Sequence, residues 1–269
     1  MFPKFPQIPT VPTVPLLAAK ATGFPIAVGT LAVLGLMVGT ASASTIYSDS
    51  FSGSSTTALN GAAPTVDNGT SATWTADAVW KANGSADESS SGSYGNAFLS
   101  FTPTAGHIYT LTEGVNATAN SPGKTNSWIG LGFVSSEALG SPFYNNAGPF
   151  ILDYVPNSGA SVVRYSGPGL TNGTNYAYPA TGVQNLQMVL DTGGASWTVQ
   201  FSDNGTPLGS MYTYLANPTI GAVGFGTSNA SGQVSNFSLT DVAVPEPATL
   251  GLVAIGGMGL LLVKRRRAV

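Results

Sequence analysis

The sequence has no cysteine, a single histidine, and charged residues at only 8% of its positions. Missing thiols exclude disulfides, thiolate zinc sites, redox pairs and cysteine nucleophiles. The lone histidine, His107, has no evident partner for a nucleophile–base pair and reads as a strand-edge side chain. Positive charge is scarcest between residues 44 and 244, where Lys81, Lys124 and Arg164 stand against eleven carboxylates. The net charge of that region, −8, is hidden in the whole-chain value of −3. An acidic surface without a basic patch repels phosphates, so no nucleic acid partner is expected. Helical periodicity is also missing there, which excludes alternating strand–helix folds.

Against this Gly-, Ser-, Thr- and Asn-rich background the last residues stand out. A Pro245, Glu246, Pro247 turn is followed by an uncharged apolar run of sixteen residues at 248–263, then by Lys264, Arg265, Arg266 and Arg267. As a transmembrane helix the run spans roughly 24 Å against a hydrocarbon core of about 30 Å, a marginal anchor. Gly251, Gly256, Gly257 and Gly259 weaken the helix, and none of them are spaced for a Gly-x-x-x-Gly dimer face. The adjacent cations form a cytoplasmic stop because they resist crossing. Pro245 and Pro247 lack amide donors and fix φ, which keeps the chain before the helix extended and open to a processing enzyme.

This arrangement resembles the PEP-CTERM sorting signal of bacterial exported proteins, over residues 243–269. The resemblance implies that Pro245, Glu246 and Pro247 are recognised by an exosortase-type membrane peptidase that removes the tail. An ordinary C-terminal membrane anchor is the competing reading.

Residues 1–43 read as an export signal with a Pro-rich leader. Lys4 and Lys20 precede an apolar run at 24–38, and Ala41 and Ala43 supply the small residues that a signal peptidase reads. The mature chain is then expected to start at Ser44. Prolines between residues 3 and 15 exclude helix or central strand there. A membrane-spanning N-terminal anchor is the alternative, but the run is short for it.

The region between, 44–242, reads as strand after strand. About ten short β-branched or aromatic segments are bounded by turn residues, among them 72–80, 96–102, 107–112, 127–134, 149–155, 185–190, 195–202, 219–226 and 233–240. Trp197, Val199 and Phe201 alternate with Thr198 and Gln200, the pattern of a half-buried strand. Asn204-Gly205 follows directly and predicts a tight hairpin turn, with Asn68-Gly69, Asn83-Gly84 and Asn172-Gly173 as further turns. So many strands in about 200 residues predict an all-β antiparallel sandwich, long enough to bury its core without disulfides. The opening segment 47–51 and the closing segment 232–242 resemble the first and last strands of the concanavalin-A-like jelly roll of lectins and glucanases, whose ends pair as neighbours. An immunoglobulin-like sandwich is the alternative, and it is smaller.

Catalytic material is thin. Glycoside hydrolases of the resembled fold carry two carboxylates on one strand face, at spacings such as Glu-x-Asp-x-x-Glu, and that spacing is absent. Asp87 and Glu88 are adjacent, so in a strand they face opposite ways, while Asp153 stands alone in its segment. No catalytic residue is therefore assigned. Gly130, Gly132, Gly221, Gly224 and Gly226 open no helix, so they read as places of close backbone approach rather than phosphate loops.

Tyrosines beside amides offer the material of a sugar site, with Tyr144, Tyr176 and Tyr178 as candidate glycan-binding residues and Tyr165, Tyr212 and Tyr214 more plausibly core. No Asp-x-Asp-x-Asp-Gly loop is present, so no cofactor is predicted; Asp67-Asn68 and Asp191 are the calcium candidates that remain. Asn-x-Ser/Thr triplets at Asn68, Asn83, Asn116, Asn172, Asn204, Asn229 and Asn236 read as turn chemistry. The expectation is an exported cell-surface or matrix protein, transiently membrane-anchored, whose sandwich is structural or binds extracellular polysaccharide. A secreted glycan-active enzyme is the rival class.

Overall fold

A computed structural model of the chain describes residues 42–244 apart from 55, 89–93, 121–123, 125–126, 142, 146–147, 156–160, 171–174 and 179–181. The expected signal peptide up to Ala41, the Pro-Glu-Pro turn, the apolar run at 248–263 and the basic stop at 264–267 lie outside the described residues. No helix among the described residues is long and apolar enough to cross a membrane.

The described chain is all β apart from one 3-10 turn, Phe143–Asn145. In order the strands are β1 (Ser44–Asp49), β2 (Val66–Asp67), β3 (Thr75–Ala76), β4 (Trp80–Ala82), β5 (Ala86–Glu88), β6 (Tyr94–Ser100), β7 (His107–Asn120), β8 (Trp128–Val134) and β9 (Phe150–Tyr154). They continue with β10 (Ser161–Ser166), β11 (Asn175–Tyr178), β12 (Gln184–Asp191), β13 (Thr198–Asp203), β14 (Thr206–Pro207), β15 (Tyr212–Thr213), β16 (Ala222–Ser228) and β17 (Ala230–Ala243). The first sheet runs β14-β13-β12-β7-β17-β1-β2, with β15 against β13 and the β4–β5 hairpin against β17. The second runs β11-β10-β9-β8-β16-β6-β3. All recorded pairings are antiparallel, and β1 lies beside β17 as expected for the chain ends.

Local chemistry explains much of this. In β13, Val199 and Phe201 are fully buried while Thr198 and Gln200 are half-exposed. Asn204 and Gly205 both take positive φ, 48° and 76°, which turns β13 into β14 with Asp203 opposite Thr206. The segment 72–80 departs from the single strand expected of it. Asp77 breaks it: its carbonyl accepts from the Trp80 amide at 3.1 Å and its carboxylate from the Asn96 amide at 2.8 Å, so β3 joins one sheet and β4 the other.

The sheets enclose one core. Trp74 lies 5.2 Å from Phe225 and 5.1 Å from Phe237 between ring centroids, and Trp80 packs edge-on to Phe225 at 4.8 Å. Removing each such ring from water stabilises the fold by roughly 2–3 kcal/mol. The Trp74 indole N–H also donates to buried Asp49 at 2.6 Å, giving that carboxylate a partner inside the core.

A second, smaller cluster lies apart from this core, formed by Phe98, Trp128, Val134, Phe143, Leu152 and Ala222 of the second sheet and its connecting segment. It exists because two strands present glycine to one another, with Gly224 opposite Gly132 and Gly226 opposite Gly130. A Cβ on Gly226 would sit 2.8 Å from the Phe143 ring, and one on Gly132 would sit 2.9 Å from it. Glycine here makes the seat into which Phe143 drops, stacked on Phe98 at 5.9 Å.

Candidate functional site

Both junctions of the described domain lie at one place. Ala43 and Ser44 are exposed, Ser44 opens β1 opposite Asp241 of β17, and its hydroxyl donates to the Asp241 carboxylate. The other carboxylate oxygen is 2.9 Å from His107 Nδ1. His107 is thus a strand-end side chain tied to an acid, as its isolation in the sequence predicts. Three residues beyond Asp241, the Val244 amide donates to the Gly106 carbonyl at 2.8 Å, the last described bond before Pro245.

The tyrosines divide. Tyr165 is buried and stacks on Phe201 at 4.5 Å, Tyr214 is buried, and Tyr212 is half-buried against Tyr214 at 5.0 Å. These three belong to the core and its edge. Tyr176 pairs with Val163 and Tyr178 with Ser161 along β11 and β10, and Tyr144 sits in the 3-10 turn. The side chains of Tyr144, Tyr176 and Tyr178 lie outside the described atoms. The outer face of the second sheet, at β6, β16 and β8, is covered rather than open. Phe143 fills it, and Asn96 fixes the covering segment by donating to the carbonyls of Ala138 at 3.2 Å and Ser141 at 2.9 Å.

Three carboxylates point into the sandwich. Glu113 of β7 is 2% exposed, Asp153 of β9 is 6% exposed, and Asp203 of β13 is fully buried. Glu113 is opposite Leu186, and Leu186 is opposite Asp203, so two of the acids share one row of the first sheet. Burial pushes the Glu113 carboxyl well above its usual range, and neither of its oxygens has a hydrogen-bond partner among the described residues. Burial, with the nearby Asp203 charge second, raises Asp153 to about 8. Burial raises Asp203 to about 6, against a backbone hydrogen bond from Asn204 that lowers it. Desolvation disfavours the charged form of an acid, so Glu113 and Asp153 are held neutral at pH 7. A glycosidase pair must flank a bond in a cleft open to sugar and water, and these side chains are sealed between sheets.

The calcium candidates cap turns. Asp67 accepts from the Thr70 hydroxyl, from the Thr70 amide at 3.0 Å and from the Ala72 amide at 2.9 Å. The Thr70 hydroxyl, first among these, holds the Asp67 carboxyl below its ordinary value. Asp191 accepts from the Gly193 amide at 2.7 Å. Among the described residues no group of three or more His, Asp or Glu side chains is placed to hold a metal.

The tail decides the identification. Residues 243–267 match the PEP-CTERM protein-sorting motif. The chain carries a PEP-CTERM sorting signal. No curated protein matches the sequence. Among solved structures the chain is similar to the metal-free exoplasmic/lumenal domain of VIP36, at 10% identity and a TM-score of 0.50, covering 77% of this chain and 95% of that one. It is also similar to the Emp47p carbohydrate recognition domain (12% identity, TM-score 0.49, 75% and 96% covered). A third is the endo-1,3-beta-glucanase from Streptomyces sioyaensis (14% identity, TM-score 0.49, 75% and 97% covered). At such identities the likeness speaks for the fold, a lectin- and glucanase-type concanavalin-A-like β-sandwich.

The PEP-CTERM motif begins at residue 243, and β17 ends at Ala243, so no spacer separates fold from signal. The tail itself was legible from its residue order. The three buried acids were not, because Asp153 meets Asp203 only across the two sheets and no spacing in the chain announces it.

Proposed function

We propose that this chain is an exported protein, sorted to the cell envelope and cleaved at Pro245, Glu246 and Pro247 by an exosortase-type peptidase, whose sandwich serves at the cell surface or in the extracellular matrix without catalysing a reaction. The single observation that carries this reading is the PEP-CTERM motif abutting the last strand, at residue 243. A marginal helix behind an extended Pro-Glu-Pro turn suits a temporary tether. The lectin-like fold supports association with polysaccharide, and the sealing of Glu113, Asp153 and Asp203 between sheets favours binding over turnover.

Mass spectrometry of the carboxyl terminus of protein from native cells tests the sorting half. A terminus near residue 247 is expected, and an intact Arg267-Ala268-Val269 end in cells with active peptidase would remove it. Glycan-array binding run beside a hydrolysis assay on the same sugars tests the other half. Binding without turnover supports the reading; turnover makes the chain a glycan-active enzyme.

A further inference from the structure

The covered outer face of the second sheet leaves one other substantial concavity among the described residues, a cleft of about 520 Å³ where the sheets part at the end that carries the chain junctions. Its floor is aromatic: Tyr47 of β1, Phe101 and Tyr109 of β7. Its walls are hydroxyl-bearing, from Thr70 and Ser71 on one side and Ser100, Thr102 and Thr104 on the other. Asp241 is the only charged residue on its lining.

The walls are fixed before any ligand arrives. The Tyr47 hydroxyl donates to the Ser100 carbonyl at 2.8 Å, joining β1 of one sheet to β6 of the other. The Tyr109 hydroxyl accepts from the Thr104 amide at 2.8 Å and holds the segment after β6. Opposite, the Asp67 carboxylate gathers the 70–72 turn, whose Ser71 sits at φ 55°, a left-handed conformation rare outside glycine. A non-glycine residue held in that region beside a preformed cleft is an observation from which function is fairly inferred.

We propose that this end cleft binds one or two residues of a saccharide that carries no negative charge, which places the polysaccharide contact of the preceding section here, and it rests on that reading. Rings supply apolar sugar faces with a stacking surface, and hydroxyls with one carboxylate accept and donate to sugar hydroxyls. The volume falls within the range of small-ligand sites. A lone carboxylate with no cation on the lining repels uronates, sulfated sugars and phosphorylated sugars and tolerates an amino sugar.

The test uses full-length protein purified in detergent, titrated with neutral gluco-, manno- and galacto-oligosaccharides, with glucosamine oligomers and with oligogalacturonate. Exposed Thr102 at the mouth is replaced by tryptophan to block the cleft, and Asp241→Asn removes the charge. Binding of a neutral or amino oligosaccharide that falls at least tenfold in Thr102→Trp, with circular dichroism unchanged, is the expected result. Asp241→Asn should bring oligogalacturonate binding closer to that of the neutral sugars, an effect that a merely structural role would not produce. Saccharide binding that survives Thr102→Trp would overturn this site and leave the wider reading in place. Absence of binding to every probe would overturn both.

Discussion

Ser44 and Asp241 face one another in register across β1 and β17, and the serine hydroxyl donates to the aspartate carboxylate. The first residue expected of the mature chain is therefore tied to a residue four positions before Pro245. Entry and exit of the domain share one end of the first sheet, where β17 is sandwiched between β1 and β7.

The first prediction concerns the tail. Replacing Pro245, Glu246 and Pro247 together by alanine should hold the full-length chain in the membrane fraction, because the extended recognition turn becomes helix-compatible. A short Gly-Ser insertion between Val244 and Pro245 should have the opposite effect and speed loss of the tail, since the motif starts on the last residue of a paired strand. Immunoblots of membrane and released fractions over time check both. Equal processing of all three chains would show that neither the turn nor its distance from the fold matters.

A second prediction follows from the buried acids. Asp153 has its ordinary pKa of 3.8 when unfolded and about 8 when folded. Between those values the unfolded chain gives up a proton that the folded one keeps, so stability is full below about pH 4 and falls as pH rises toward 8. Asp203, raised to about 6, adds to the fall over the lower part of that window, and Glu113 shifts in the same direction. Asp153→Asn should raise the melting temperature at pH 7.5 and flatten its dependence on pH, by an amount on the order of a few kcal/mol. Thermal melts from pH 4.5 to 8.5 check this, and a wild-type curve that rises with pH would contradict it.

Where the sequence speaks through local chemistry, it is readable. The alternation of Val199 and Phe201, the Asn204-Gly205 turn and the pairing of first and last strands all follow from residues in reach of one another or from end-to-end pattern. Where a tertiary contact overrides the pattern, it is not. β7 runs to Asn120, well past the expected end at residue 112, because Glu113 looks like a surface residue in the chain and is a buried one in the fold. Tyr165 and Phe143 are both aromatics amid polar residues, yet one stacks in the core and the other closes the outer face of the second sheet. Only packing distinguishes them.

A third prediction isolates the polar contact inside the core. Trp74→Phe keeps most of the buried ring but removes the indole N–H that reaches Asp49 at 2.6 Å. Asp49 then keeps the Phe51 amide at 2.8 Å and the Thr65 hydroxyl at 3.0 Å, both on its other oxygen. The cost should be about 2–3 kcal/mol, since a buried hydrogen bond to a charged group is lost together with some packing. Urea unfolding checks it, and Trp74→Phe with Asp49→Asn should cost less than the sum of the separate changes, because the two residues share one interaction.

The last prediction separates the outer face of the second sheet from the core. Phe143→Ala removes a ring that is 1% exposed yet belongs to the smaller cluster with Phe98, so about 3–5 kcal/mol is at stake if the segment above stays in place. That segment is also held by Asn96, through its bonds to Ala138 and Ser141. Phe143→Ala alone should therefore lower stability without releasing the cover, whereas Phe143→Ala with Asn96→Ala should expose it. Gly226→Ala approaches the same seat from below: its methyl would stand 2.8 Å from the Phe143 ring and 2.7 Å from the Asn96 side chain, and overpacking of this kind costs about 1–3 kcal/mol. Combined with Phe143→Ala the methyl fills part of the vacated space, so the pair should be less destabilised than the sum. Hydrogen exchange at residues 135–149 reads the outcome: protection that persists in the double Phe143, Asn96 variant would mean that something other than these two side chains holds the outer face closed.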